Sequence, residues 1–168
     1  MLNDEAFHFA RLGTFLERAD NTARILDVNF RRQAEQDALQ VDGDEQNDSL
    51  QRDYYHWASL LRSLSAFENY RKVYRHAITP ARVAELLILR GDMPRSLLAC
   101  LAEVERNLKA VANKQSGETE RRAGMMHAEL RYGRIDDILH TGMHAYLTDF
   151  LERINDLGAR ISQDFLVG

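Results

Sequence analysis

Apolar residues recur at alternating intervals of three and four along the first part of the chain: Phe9, Leu12, Leu16, Ala19, Ala23, Leu26 and Phe30. That spacing keeps one face of a helix apolar over several turns. With Asn3 or Asp4 as N-cap, a first helix is expected to run to about residue 35. Trp57, Leu60, Leu61, Leu64, Phe67, Tyr70 and Tyr74 repeat at helical spacing, so a second long helix is expected over about residues 50–76. Thr79-Pro80 reads as an N-cap followed by proline in the first helical position. The short helix it starts should end near Arg90-Gly91, with Gly91 free to take the left-handed capping conformation. Asp92-Met93-Pro94 is read as the start of a further helix to about Asn113, followed by helices over about 118–132, a short segment to 141, and a last one to about Phe165. No stretch alternates in period two for long enough to propose a strand. The expected fold is all-α, a bundle of four long helices with two or three short ones.

A chain of 168 residues suits one domain, expected over 1–168. At that size roughly 70% of the unfolded surface is buried on folding, without disulfides or metals. Residues 36–49 are polar and acidic, and they read as a flexible connector within the domain. Their aspartates do not follow the order of ligands in a calcium loop. The one cysteine, Cys100, lies in an apolar run with Leu97, Leu98, Leu101 and Val104, so a packed thiol in a reducing compartment is expected. Net charge is −4, with 26 acidic and 22 basic side chains interspersed. No basic stripe dominates, which argues against a nucleic-acid partner. No apolar run has the length of a membrane span and no signal peptide is recognisable, so the expected location is cytoplasmic.

Candidate chemistry is sparse. Asp136, His140 and His144 are spaced by four, yet Gly142 between the histidines disturbs the helix that would align them, and no metal site is expected. No Gly-rich phosphate loop, nucleophile elbow or paired-cysteine motif occurs, so no cofactor is expected. Arg90, Arg95 and Ser96 flank the expected helix start at Pro94 and form a possible anion corner, with capping and surface charge as the plainer account. The aromatic residues of the second helix are either core anchors or a ligand-stacking platform. The densest polar group is Glu17, Arg18, Asp20, Asn21 and Arg24, beside the apolar stripe of the first helix. Two accounts stand for it. One is a buried interhelical network that fixes helix register, in which case Arg24→Ala or Glu17→Ala is strongly destabilising and Arg11→Ala, on the other side, is not. The other is a polar patch that meets a partner or substrate. A partial echo, Phe15-Leu16-Glu17-Arg18 against Phe150-Leu151-Glu152-Arg153, is one residue out of register further on and reads as chance.

Leu16-Glu17-Arg18-Ala19-Asp20-Asn21-Thr22-Ala23-Arg24 resembles the glutamate-arginine signature of the bacterial alpha-E family, an all-helical domain. The resemblance continues through Tyr54-Tyr55-His56-Trp57, through Leu87 to Leu97, and through Leu130-Arg131-Tyr132 and Tyr146-Leu147-Thr148-Asp149-Phe150. Family members usually carry a further N-terminal half with its own signature helix, so the chain is expected to correspond to the C-terminal half. The uncovered surface would then be closed by self-association as a homo-oligomer, most simply a symmetric dimer.

The resemblance also implies a setting. Family members neighbour, or are fused to, a circularly permuted ATP-grasp ligase, often beside a transglutaminase-like protein, in a peptide-modification system. The expected function is therefore a non-catalytic helical module that binds or organises that ligase. The alternative is an enzyme of the same system that uses Glu17, Asp20 and Arg24 for acid–base work or substrate binding. Carboxylates lining a pocket would favour the enzyme, and carboxylates held by neighbouring arginines would favour architecture.

Overall fold

The computed structural model describes residues 3–39 and 45–166, and the backbone alone of residues 3 and 45–47. All regular structure among the described residues is helical, as the periodicity predicts. In chain order the helices are α1 (Asn3–Leu39), α2 (Glu45–Ser63), α3 (Phe67–Val73), α4 (Pro80–Leu89), α5 (Leu97–Val111), α6 (Gly117–Arg131), α7 (Ile135–Thr141) and α8 (Met143–Ile161), and a π-helical turn (Ser162–Leu166) closes the described chain. Five of these helices are long and three are short, where four long ones are expected from the sequence.

The long helix α1 is the spine. It packs most extensively on α5 and α8, and α5 packs on α6 in turn. Leu12, Ala19, Ala23 and Leu26 of α1 are buried to 1% exposure or less. They meet a core built from Trp57 and Leu61 of α2, Val83, Ala84 and Leu86 to Ile88 of α4, Leu101 and Leu108 of α5, and Leu147 and Leu157 of α8. The two alanines matter because small side chains let neighbouring elements approach closely without leaving a void. Trp57 is fully buried, and its indole N–H donates to Gln33 Oε1 at 3.0 Å, so a core aromatic is satisfied from α1. Tyr70 is buried too, and its hydroxyl donates to the Ala77 carbonyl while accepting from the Thr79 amide. Of the aromatics expected in the second helix, these two are core anchors; Tyr54 and Tyr55 are exposed.

The helix expected over 50–76 is two helices. Ser65 takes a positive φ of 55°, the Ala66 amide donates to Leu61 O at 2.7 Å, and the Ser65 amide donates to Arg62 O at 3.0 Å. This is a Schellman cap, usually signalled by glycine and here built on serine. The helix expected from Asp92-Met93-Pro94 starts only at Leu97. Ser96 is the cap: its Oγ accepts from the Ala99 amide at 3.0 Å and donates to Arg90 O at 2.6 Å. Residues 91–95 are spent on tight turns instead, with Met93 buried, and Gly91 does not take a positive φ. Helix α5 also stops two residues early, because Asn113 Oδ1 accepts from the Gln115 amide and forms its own turn. Of the expected acidic connector, residues 36–39 continue α1 and 45–49 begin α2; residues 40–44 lie outside the described residues. Thr79 and Pro80 open α4 as expected, with the Thr79 hydroxyl accepting from the Arg82 amide.

Candidate functional site

Within α1, a rotation of about 100° per residue sorts the polar cluster by direction. Ala19 and Ala23 point into the core, and Thr22 beside them is fully buried. Thr22 Oγ1 donates to the carbonyl oxygen of Arg95 at 2.9 Å, which ties the signature turn of α1 to the segment leading into α5. On the other shoulder Asp27 is 8% exposed and accepts from His144 Nδ1 of α8 at 2.7 Å. These two bonds, with the core between them and the bonds of His8 to Asn107 and of Gln33 to Trp57, fix the rotation of α1.

The five candidate residues lie outside that anchorage. Glu17, Asn21 and Arg24 are exposed, and Asp20 is half-buried. Arg24 Nε donates to Asp20 Oδ2 at 2.9 Å, a pair along one helix with 59% and 29% of the side chains exposed, and this holds the arginine above its ordinary pKa. Glu17 and Asn21 have no hydrogen bond or ion pair among the described residues. Arg18 is half-buried with its guanidinium 5.0 Å from the Phe15 ring centroid, a cation–π contact rather than an ion pair. The cluster is therefore an outward face, and the register of α1 is set by bonds from other positions, among them His8, Thr22, Asp27 and Gln33. Arg11, expected to be idle, donates to Glu103 of α5 at 3.1 Å and lies over Phe7 and Phe15.

The proposed anion corner is largely spent. Arg90 is held by Asp92 through two bonds of 2.8 and 3.1 Å, and the Ser96 hydroxyl is fully used as a cap and strap. Arg95 keeps a guanidinium without a hydrogen bond or ion pair among the described residues. Beneath this region, burial pushes the Cys100 thiol up to about 12, against the opposing pull of the Arg18 and Arg95 charges. Both arginines thus act on the same buried thiol, one from α1 and one from the segment that Thr22 straps down. The side chains of Glu17, Asn21 and Arg95 make no hydrogen bond or ion pair among the described residues, and Arg18 meets only Phe15.

The sequence contains four Glu-Arg dipeptides, at 17–18, 105–106, 120–121 and 152–153. Their surroundings differ. Glu105 pairs with Lys109 and His127, Arg106 with Glu103, Arg121 with Glu118, and Arg153 with Glu129. Glu17-Arg18 is the dipeptide in which neither member has an ion pair among the described residues.

Of the remaining candidates, Asp136, His140 and His144 are not brought together. Gly142 takes φ +103° and ends α7, which leaves His140 exposed on one helix and His144 bonded to Asp27 from the next. No group of three or more potential metal ligands occurs among the described residues. The clefts between α5, α6, α7 and α8 are not lined by the five cluster residues. The buried Thr22 and its partner carbonyl were not singled out by sequence reasoning. A small hydroxyl residue between two buried alanines was the available signal.

A family model described as a predicted alpha-helical domain with a conserved ER motif matches residues 1–166. Neither a curated protein nor a solved structure matches the chain.

Proposed function

The chain belongs to the Alpha-E family, and from that premise we propose that it is a non-catalytic helical module that binds and organises a circularly permuted ATP-grasp ligase in the bacterial cytoplasm, beside a transglutaminase-like protein of a peptide-modification system. One observation carries this reading. Neither Glu17 nor Arg18 has an ion pair among the described residues, and both stand on a helix tied to its neighbours through Thr22 and Asp27. Charged groups without ionic partners on a well-packed helix suit a docking face, since complementary charges across an interface fix register and exclude wrong partners. The acid–base alternative draws less support, because Asp20 is already engaged by Arg24 at the surface.

The rest of the surface supports an assembly-forming role. No helix among the described residues is long and apolar enough to cross a membrane. Val28, Tyr54 and Tyr55 nevertheless leave 49, 45 and 66% of their surface exposed. Self-association through such groups is part of the proposal, with sedimentation as its check. Co-purification tests the main claim. The tagged ligase should retain this protein at stoichiometric yield; failure to associate, together with ligase activity indifferent to added protein, would sink the idea.

A further inference from the structure

The geometry points to a small-molecule site in the cleft between α6, α7 and α8, shaped for a primary ammonium on an apolar body of about one amino-acid residue's bulk. The cleft encloses about 210 Å³. That is less than the usual range for drug-sized ligands, roughly 300 to 1,000 Å³, and suits a single side chain or a small amine. Ile138 and Phe150, buried to 5% exposure, form the apolar floor.

Two glycines build the cleft at backbone level. A Cβ on Gly133 would stand 2.9 Å from the Glu129 carbonyl and 3.2 Å from Leu89, so only glycine lets the chain leave α6 this closely packed. Gly142, at φ +103°, turns α7 back onto α8. The result is a pocket with walls from three helices.

The polar groups at its rim are the reason for the ligand class. Arg153 and Glu129 satisfy each other at 2.5 Å, which removes one charge of each sign. Asp137 from α7 and Asp149 from α8 remain, and the nearest cation to Asp149 is Arg153 at a loose 3.8 Å. Asp137 has no side-chain bond among the described residues, and the same is true of Arg134 and of the Tyr146 hydroxyl. Two carboxylates against one free guanidinium leave the cavity net negative, so an ammonium is favoured over a carboxylate. Burial, reinforced by the Glu129 charge, pushes the Tyr146 phenol up to about 12, so it stays protonated and orients the ligand as a neutral hydrogen-bonding group. An ammonium set between Asp137 and Asp149 with its carbon body over Ile138 and Phe150 uses the unpaired acid of the cleft together with the loosely held one. A ligand with a second, anionic group has Arg134 to meet it.

Amide chemical shifts of the full chain, titrated with isopentylamine, 4-methylpentanoate, leucinamide and leucine, test the assignment. The amine and leucinamide should move resonances along α6, α7 and α8 with millimolar affinity, and 4-methylpentanoate should not. Leucine binding more tightly than leucinamide would place a free amino acid in the site through Arg134; the reverse order would place a simple amine or the first residue of a peptide there. Replacing both Asp137→Asn and Asp149→Asn should weaken the amine about tenfold or more, as loss of charge-assisted bonds does, with the melting temperature unchanged. No perturbation at tens of millimolar amine, equal binding of 4-methylpentanoate, or undiminished binding by the double variant would overturn the assignment.

Discussion

Arg24 and Thr22 lie two positions apart on α1 and contribute to stability in opposite measure to their charge. Arg24 is exposed and paired only within its own helix, so Arg24→Ala should leave the melting temperature nearly unchanged. Thr22 is buried and satisfies a backbone carbonyl on another segment. Thr22→Val keeps the shape and removes the bond, so urea unfolding should show a loss of about 1 to 3 kcal/mol, the cost of an unsatisfied buried acceptor. Arg11→Ala should fall between them, because it loses an interhelical bond to a half-buried Glu103. A larger effect from Arg24 than from Thr22 would reverse the assignment of which residue fixes the helix. Cys100 gives a second check at this scale. Its thiol is buried and pushed up to about 12, so the native protein should resist thiol reagents at about pH 8 and react fully once unfolded. Helical periodicity placed Asp20 beside the apolar stripe and passed over the buried Thr22. It could not say which would meet a partner on another segment, because that depends on the path of residues 90–97, and there the proline misled.

At the scale of elements, the boundaries that sequence revealed are those with local chemistry behind them. Thr79-Pro80 signals α4 because the hydroxyl and the ring act within one turn of the helix. The break after α2 carried no such signal, since Ser65 occupies a position where glycine is the usual residue. Ser65→Gly should therefore stabilise the protein by roughly 0.5 to 1 kcal/mol in denaturant unfolding, the relief of a left-handed residue less the added chain entropy. If it destabilises, the serine side chain is contributing something its geometry does not reveal. Gly142→Ala should act the other way, costing about 1 to 3 kcal/mol through backbone strain at φ +103° with nothing in space to oppose the methyl group. The long apolar faces of α1, α5 and α8 were readable for a different reason: each repeats its pattern over several turns, so no single residue decides it.

For the whole molecule, acid sensitivity should have a contribution traceable to His56. Its Nε2 is buried without a hydrogen-bond partner, and burial, helped by the Arg32 charge, holds it below the ordinary 6.5 while Asp53 pulls the other way. The unfolded chain takes up a proton first as pH falls. The stability linked to this group is thus present above about 6.5 and lost as pH drops toward the folded value. Melting temperature should decline from about pH 7 to about pH 5, and less steeply in His56→Phe, which keeps the edge contact with Trp57. An unchanged slope in that variant would show that His56 is not responsible. The larger question is what the fold holds up for view. Glu17 has no side-chain partner among the described residues, and Arg18 meets only the Phe15 ring. The most direct measurement is the affinity of the ATP-grasp ligase for the double variant Glu17→Ala, Arg18→Ala, alongside its melting curve. The docking account predicts a wild-type melting temperature with ligase binding reduced by tenfold or more, the size expected when charged anchors are lost from an interface. Undiminished binding, or a variant that melts far below wild type, would contradict it.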